Sequence, residues 1–222
     1  MDRNLCNKLN NLKTFGFNPN NILDLGAHHG IWSYNCLHVF PNAQYMLIEP
    51  IKYDELTSIC SKITNFNYKN LLFYETETEV DWYEMKNTGD SIFKERTHHF
   101  SNCIPVKKQT VTLDTIFEKE KYDLIKIDCQ GAEISILKGG QNLIKNTEFI
   151  ILEMPFCGQY NTNVSSFSEH INFMEANNFV VFDIIGQHIH DNKLLFQIDI
   201  IFINKNSSIL NKAQNMIDTM GK

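Results

Sequence analysis

The chain has no CxxC pair among its six cysteines, Cys6, Cys36, Cys60, Cys103, Cys129 and Cys157. That spacing excludes zinc ribbons and thioredoxin-type redox motifs. It also lacks an excess of positive charge: 20 Lys and Arg stand against 26 Asp and Glu, a net charge of -6. Such a chain has no general basic face, so broad nucleic-acid binding is not expected. No apolar run approaches the ~20 residues that span a bilayer. The first twenty residues lack the basic start and apolar core of a signal peptide, so the sequence is expected to be a soluble, cytoplasmic protein with free thiols and no membrane partner.

What is present is a core. Hydrophobic residues make up 43% of 222 positions and aromatics 12%, which excludes intrinsic disorder and collagen-like structure. The length suits one full domain with trimmings. We read residues 1–20 as an N-terminal extension, 21–206 as the domain and 207–222 as a tail that forms a weak surface helix.

Short apolar runs alternate with helical patterns. Strands are expected at 22–25, 44–48 and 69–74, with helices at 30–39 and 53–63 between them. This βαβαβ pattern signals a parallel sheet with crossover helices. Residues 80–85 alternate like a hairpin strand, with 77–79 as its turn. Residues 87–103 show little periodicity and read as a long loop over the edge where ligands bind. A strand at 104–111 and a short helix at 113–117 follow. Then come buried strands at 122–127 and 149–153, helices at 132–137 and 167–176, and an antiparallel pair at 179–185 and 195–203.

The first motif with chemical content is Asp24-Leu25-Gly26-Ala27-His28-His29-Gly30. A glycine turn from strand to helix lets a ligand approach backbone N–H groups. His28 stands where a dinucleotide fingerprint would carry its second glycine, so a pyrophosphate ligand is disfavoured. Glu49 ends the second strand 23 residues after Gly26. An acid at that place accepts ribose hydroxyls in nucleoside-binding α/β folds. Asp24, Glu49, Asp128 and Glu153 all fall at or near strand carboxyl ends, where open α/β sheets bind ligands. Four acids on one edge fit a metal or a cationic substrate or cofactor.

Asp24-x-Gly26-Ala27-x-x-Gly30, Ile48-Glu49-Pro50, Val111-Thr112-Leu113-Asp114 and Leu124-Ile125-Lys126-Ile127-Asp128-x-x-Gly131-Ala132-Glu133 together resemble the FkbM family of S-adenosylmethionine-dependent methyltransferases. Thr88-Gly89-Asp90-Ser91 resembles that family's small-residue segment, and the likeness runs from about residue 20 to 205 in the family's order. The resemblance implies a Rossmann-like class I fold: a seven-stranded, mostly parallel sheet with the last strand antiparallel and helices on both faces. It implies S-adenosyl-L-methionine as cofactor and O-methylation of a hydroxyl on a sugar, glycan or small metabolite. Carried over by position, Gly26 to Gly30 wrap the methionine and ribose, and Glu49 holds the ribose hydroxyls. Asp24, Ala27, His28, Ser33, Pro50 and Asp128 complete the cofactor set. His28 departs from the family's usual Asn.

Asp128 is the first catalytic candidate, followed by His98, His99 and Glu153 as possible proton acceptors. No metal is expected. Adjacent histidines diverge and chelate poorly, and His188 and His190 are read as lying in the loop after the sixth large-sheet strand. Two other readings use the same residues: a nucleoside-binding protein without turnover, and a nucleotide-dependent oxidoreductase.

Overall fold

The computed structural model describes residues 1–157 and 161–220. In chain order it runs α1 (Arg3–Thr14), β1 (Asn21–Leu25), α2 (Ile31–Val39), β2 (Gln44–Ile48), α3 (Asp54–Lys62) and β3 (Phe66–Lys69). The middle holds β4 (Glu79–Trp82), a single 3-10 turn at His98–Phe100, β5 (Val106–Gln109) and α4 (Leu113–Ile116). The rest is β6 (Leu124–Ile127), α5 (Glu133–Lys138), α6 (Gln141–Ile144), β7 (Phe149–Pro155), α7 (Phe167–Ala176), β8 (Phe179–His190), β9 (Leu194–Asn204) and α8 (Ser208–Asp218).

Seven strands form one sheet in the order β3-β2-β1-β6-β7-β9-β8. All neighbours are parallel except β9, which runs antiparallel to both β7 and β8. Side chains alternate between faces, as a pleated strand requires. Ile22, Phe149 and Ile151 face one core with Leu9, Cys36, Leu56 and Ile209 of α1, α2, α3 and α8. Leu23, Leu25, Ile150 and Leu152 face a second core with Leu113, Leu137, Leu143 and Met174 of α4, α5, α6 and α7. The mostly parallel sheet with helices on both faces is therefore as the sequence predicts. Strand order reverses between β1 and β6, and the crevice at such a switch point is where this class of sheet takes ligands.

Several local expectations fail for physical reasons. The third strand is Phe66–Lys69, because Tyr45 to Ile48 pair with Phe66 to Lys69. In the apolar run after it only Phe73 is buried, 5.7 Å from the Phe117 ring, and pairing is limited to one isolated bridge from Phe73 to Val111. β4 pairs with β5 in a separate two-stranded sheet, not with the strand before it. β8 continues to His190, so His188 and His190 lie on a strand and not in a loop. Residues read as a polar extension contain α1, whose Leu5, Cys6, Leu9 and Leu12 are buried. Asp2 caps that helix by accepting from the Asn4 and Leu5 N–H groups.

Candidate active site

A cavity of about 1030 Å³ opens at the carboxyl ends of β1, β2, β6 and β7. That volume lies at the top of the ~300–1,000 Å³ range of small-molecule sites. Gly26 and His28 form one wall, Glu49, Pro50 and Tyr53 the next, and Asp128, Gln130 and Glu153 the floor. Trp82 and the segment from Asn87 to Phe100 close one side; His188 and Gln197 of the β8–β9 hairpin close the other.

The first turn is fixed by close packing. Gly26 has φ +77, and a Cβ there would lie 1.9 Å from the Asp128 carbonyl oxygen. Only glycine lets β1 turn this close to the end of β6. His28 also has positive φ, at 47. Asn and His are among the side chains that enter this region most readily, which rationalises His28 where the family usually has Asn. Its ring stacks on His29 at 3.8 Å and meets Tyr53 edge-on. Burial, and then the neighbouring His29, keep His28 below the usual imidazole range.

Glu49 accepts the His28 N–H at 2.9 Å and the Ile51 N–H at 3.0 Å, one at each oxygen. Each oxygen keeps a lone pair for a ligand hydroxyl. Burial pushes its carboxyl up to about 7, opposed by those two N–H groups.

Beneath the wall lies a charge network centred on Lys126. Its Nζ lies 3.5 Å from Asp24 Oδ1 and 3.3 Å from Asp128 Oδ2, and it donates to the Gly26 carbonyl at 3.3 Å. Asp24 also accepts from Ser33 Oγ at 2.6 Å and is fully buried. Burial raises the Asp24 carboxyl and Lys126 opposes that. For Asp128, burial acts in the same direction, but the Lys126 charge and the Gln130 hydrogen bond prevail and hold it below the usual carboxylate range. Gln130 Nε2 donates to Asp128 Oδ1 at 2.9 Å and to Glu153 Oε2 at 3.0 Å. Burial, then the charges of Asp128 and Asp199, drive Glu153 well above its ordinary value. The floor thus holds two carboxyl groups whose surroundings push them apart, Asp128 towards the charged form and Glu153 towards the neutral one. Behind them Glu133 Oε1 accepts the Cys129 N–H at 2.9 Å and the Gly131 N–H at 3.2 Å, which fixes the turn after Asp128.

The cavity wall therefore holds Gly26, His28, Glu49, Pro50, Asp128, Glu153 and His99 of the residues singled out from the sequence. Asp24, Ala27, Gly30, Ser33 and His98 are not on it. Asp24 and Ser33 are buried beneath, and Gly30 instead caps α2 and packs against Leu56 and Ile59 of α3. His98 is exposed next to His99. Lys126, Trp82, Tyr53, Gln130 and the His188–Asp199 pair were not among the chosen residues. Lys126 carried a visible signal: a lysine inside an apolar strand must find anions, because buried ammonium groups are rarely left unpaired.

The segment read as a loop over the ligand edge does border the cavity. Ser91 Oγ donates to the Gln130 carbonyl at 2.9 Å, the Lys94 carbonyl accepts the Thr162 N–H at 2.8 Å, and Glu95 and Phe100 are buried, so the segment is tied down at several points. Glu49, Asp90, Glu95, Asp128 and Glu153 are the carboxylates on the wall, and no Lys or Arg lines it among the described residues. Phosphate-bearing ligands therefore find no cation there, while a cationic ligand finds several acids.

The family model described as the methyltransferase FkbM domain matches residues 24–181. No curated protein matches the chain. Among solved structures, methyltransferase FkbM from Methylobacillus flagellatus KT shares 14% identity at a TM-score of 0.52, over 83% of this chain and 43% of that one. This chain thus spans less than half of that relative's length. Burkholderia thailandensis 1,6-didemethyltoxoflavin-N1-methyltransferase, solved with 1,6-didemethyltoxoflavin and S-adenosylhomocysteine, matches at 9% identity and a TM-score of 0.52, covering 92% and 78% of the two chains. Magnesium protoporphyrin IX methyltransferase (ChlM) from Synechocystis PCC 6803 with bound SAH matches at 10% identity and 0.53, covering 90% and 81%. At these identities the likeness is one of fold.

Proposed function

The chain belongs to the FkbM methyltransferase family, and from that premise we propose that it transfers a methyl group from S-adenosylmethionine to a hydroxyl of a sugar, a glycan or a small metabolite. The observation that carries the cofactor assignment is the charge of the wall: five carboxylates and no Lys or Arg among the described lining residues. S-adenosylmethionine carries its methyl on a sulfonium cation, which leaves as a neutral thioether. An acidic wall suits that cation and does not suit the pyrophosphate of a dinucleotide. Structural relatives crystallised with S-adenosylhomocysteine point the same way.

In this reading the Gly26 turn admits the methionine and ribose part, and Glu49 accepts the ribose hydroxyls. Asp128, kept ionised by Lys126, faces the cationic end. Much of the rate comes from aligning acceptor and methyl. Asp128 holds the acceptor hydroxyl and takes its proton as the oxygen–carbon bond forms. The O–H becomes strongly acidic as that bond develops, so a carboxylate of low basicity suffices. Gln130 fixes the rotamer of Asp128 and ties it to Glu153.

Calorimetry with S-adenosylmethionine, S-adenosylhomocysteine and NAD tests the assignment. Binding of the first two and not of NAD is expected. Glu49→Ala is expected to weaken S-adenosylhomocysteine by about 1–3 kcal/mol, the scale of a lost hydrogen bond to a charged group. Equal affinity in a folded Glu49→Ala protein would remove the ribose role.

A further inference from the structure

We propose that Glu153, His188 and Asp199 form a binding site for one divalent transition-metal ion at the end of the cavity remote from Glu49. Three strands bring the ligands together. In the sheet register Glu153 of β7 stands opposite Asp199 of β9, and Asp199 stands opposite Gly186 of β8. His188 lies two residues beyond Gly186, on the same face of the strand. The result is a mixed imidazole and carboxylate cluster: His188 Nε2 is 3.3 Å from Asp199 Oδ2 and 3.8 Å from Glu153 Oε1. One ligand atom from each of the three lies within 4.8 Å of the other two.

Glu153 and Asp199 stand directly opposite on neighbouring strands, and a sheet keeps two carboxyl groups so placed only where a proton or a cation offsets their repulsion. Lys126 is already committed to Asp24 and Asp128. A metal ion held at about 2.0–2.2 Å from three ligands needs them roughly 3–3.5 Å apart, so the observed spacing closes with small side-chain movements. Room for Asp199 is made by Gly186: a Cβ there would lie 2.4 Å from Asp199 Oδ2. His188 and Asp199 side chains keep 45% and 27% of their exposure, which gives an ion a way in.

Three protein ligands leave coordination positions open, the arrangement of catalytic and not structural sites. One imidazole with two carboxylates suits Mn²⁺, Fe²⁺ or Zn²⁺ better than Mg²⁺ or Ca²⁺. Glu153 and His188 both line the cavity, so the open positions face its contents. They would take oxygen donors of the methyl acceptor, such as a vicinal diol or a hydroxycarboxylate. That last role rests on the methyltransferase reading; binding of the ion does not.

The test uses the chelator-treated full chain and Mn²⁺ alone. Mn²⁺ is the probe because six unpaired thiols would capture Zn²⁺ elsewhere. Electron paramagnetic resonance and calorimetry near neutral pH are expected to show one site. His188→Ala and Asp199→Asn are each expected to weaken it by at least about 10–100-fold, the loss seen even for outer-shell partners. Asp199→Asn, off the cavity wall, is expected to keep wild-type affinity for S-adenosylhomocysteine, which separates this site from the cofactor assignment, and both variants are expected to keep the wild-type circular dichroism spectrum and Tm, which shows that they fold. No saturable Mn²⁺ site, or one that survives both substitutions unchanged, would overturn the proposal.

Discussion

At the scale of single residues, ionisation decides what the site does. Glu49 is held up to about 7 by burial in the unliganded cavity. In the role proposed for Glu49, ribose hydroxyls would donate to the carboxylate and favour its charged form, so binding would expel a proton. S-adenosylhomocysteine affinity is therefore expected to rise as pH increases towards about 7 and to level off above it. Glu49→Gln should flatten that dependence; a persistent slope in the variant would place the titrating group elsewhere. Asp128 is the opposite case, a half-buried carboxylate that the Lys126 charge holds below the usual carboxylate range. Asp128→Asn retains shape and loses the charge, and kcat is expected to fall about a hundredfold or more with the fold intact. Full turnover by the folded variant on any accepted acceptor would exclude a catalytic role.

Among the elements, the segment between β4 and β5 is the one placed to respond to ligand. It holds Asn87, Thr88 and His99 on the cavity wall and is fastened by the Ser91 hydroxyl to Gln130 and by buried Phe100. Between those anchors Lys94, Arg96, His98 and His99 are exposed, and exposed stretches of this kind are the ones that open locally. Hydrogen exchange is expected to slow across residues 92–99 when S-adenosylhomocysteine binds. Ser91→Ala should raise exchange there in the free protein. His99→Ala is expected to raise KM for the acceptor, whereas His98→Ala, off the wall, should be silent. Unchanged protection with ligand, together with wild-type kinetics in His99→Ala, would make this segment a static wall.

For the molecule as a whole, the two cores on either side of the sheet make distant segments interdependent. α1 precedes the first strand, yet its Leu5, Leu9 and Leu12 share a core with Phe149 of β7 and Ile201 of β9. Leu9 is fully buried. Leu9→Ala is expected to cost about 2–5 kcal/mol, a transfer loss plus a cavity. At about 2–4 °C per kcal/mol for a chain of this size, Tm should fall by about 10 °C in one cooperative transition. A small early transition with the main Tm unchanged would make α1 an appendage. Among the described residues no helix is long and apolar enough to cross a membrane.

The sequence by itself determined the sheet and the edge at which the cavity opens. Apolar runs of strand length, separated by helical periods, leave few alternatives for how backbone groups pair, and glycines and acids at strand ends mark the crevice. Gly26, Glu49 and Asp128 were legible for that reason. What only the tertiary structure decided depends on register between strands far apart in the chain. The Lys126 network joins β1 to β6. The bridge through Gln130 joins the turn after β6 to β7. The Glu153–His188–Asp199 cluster needs β7, β9 and β8 side by side. The same dependence hid α1, whose polar sequence contains one apolar stripe that is buried only because the sheet supplies a partner. Periodicity reports which face of an element is apolar; which other element covers that face, and which charges then meet, is set by packing across the sheet.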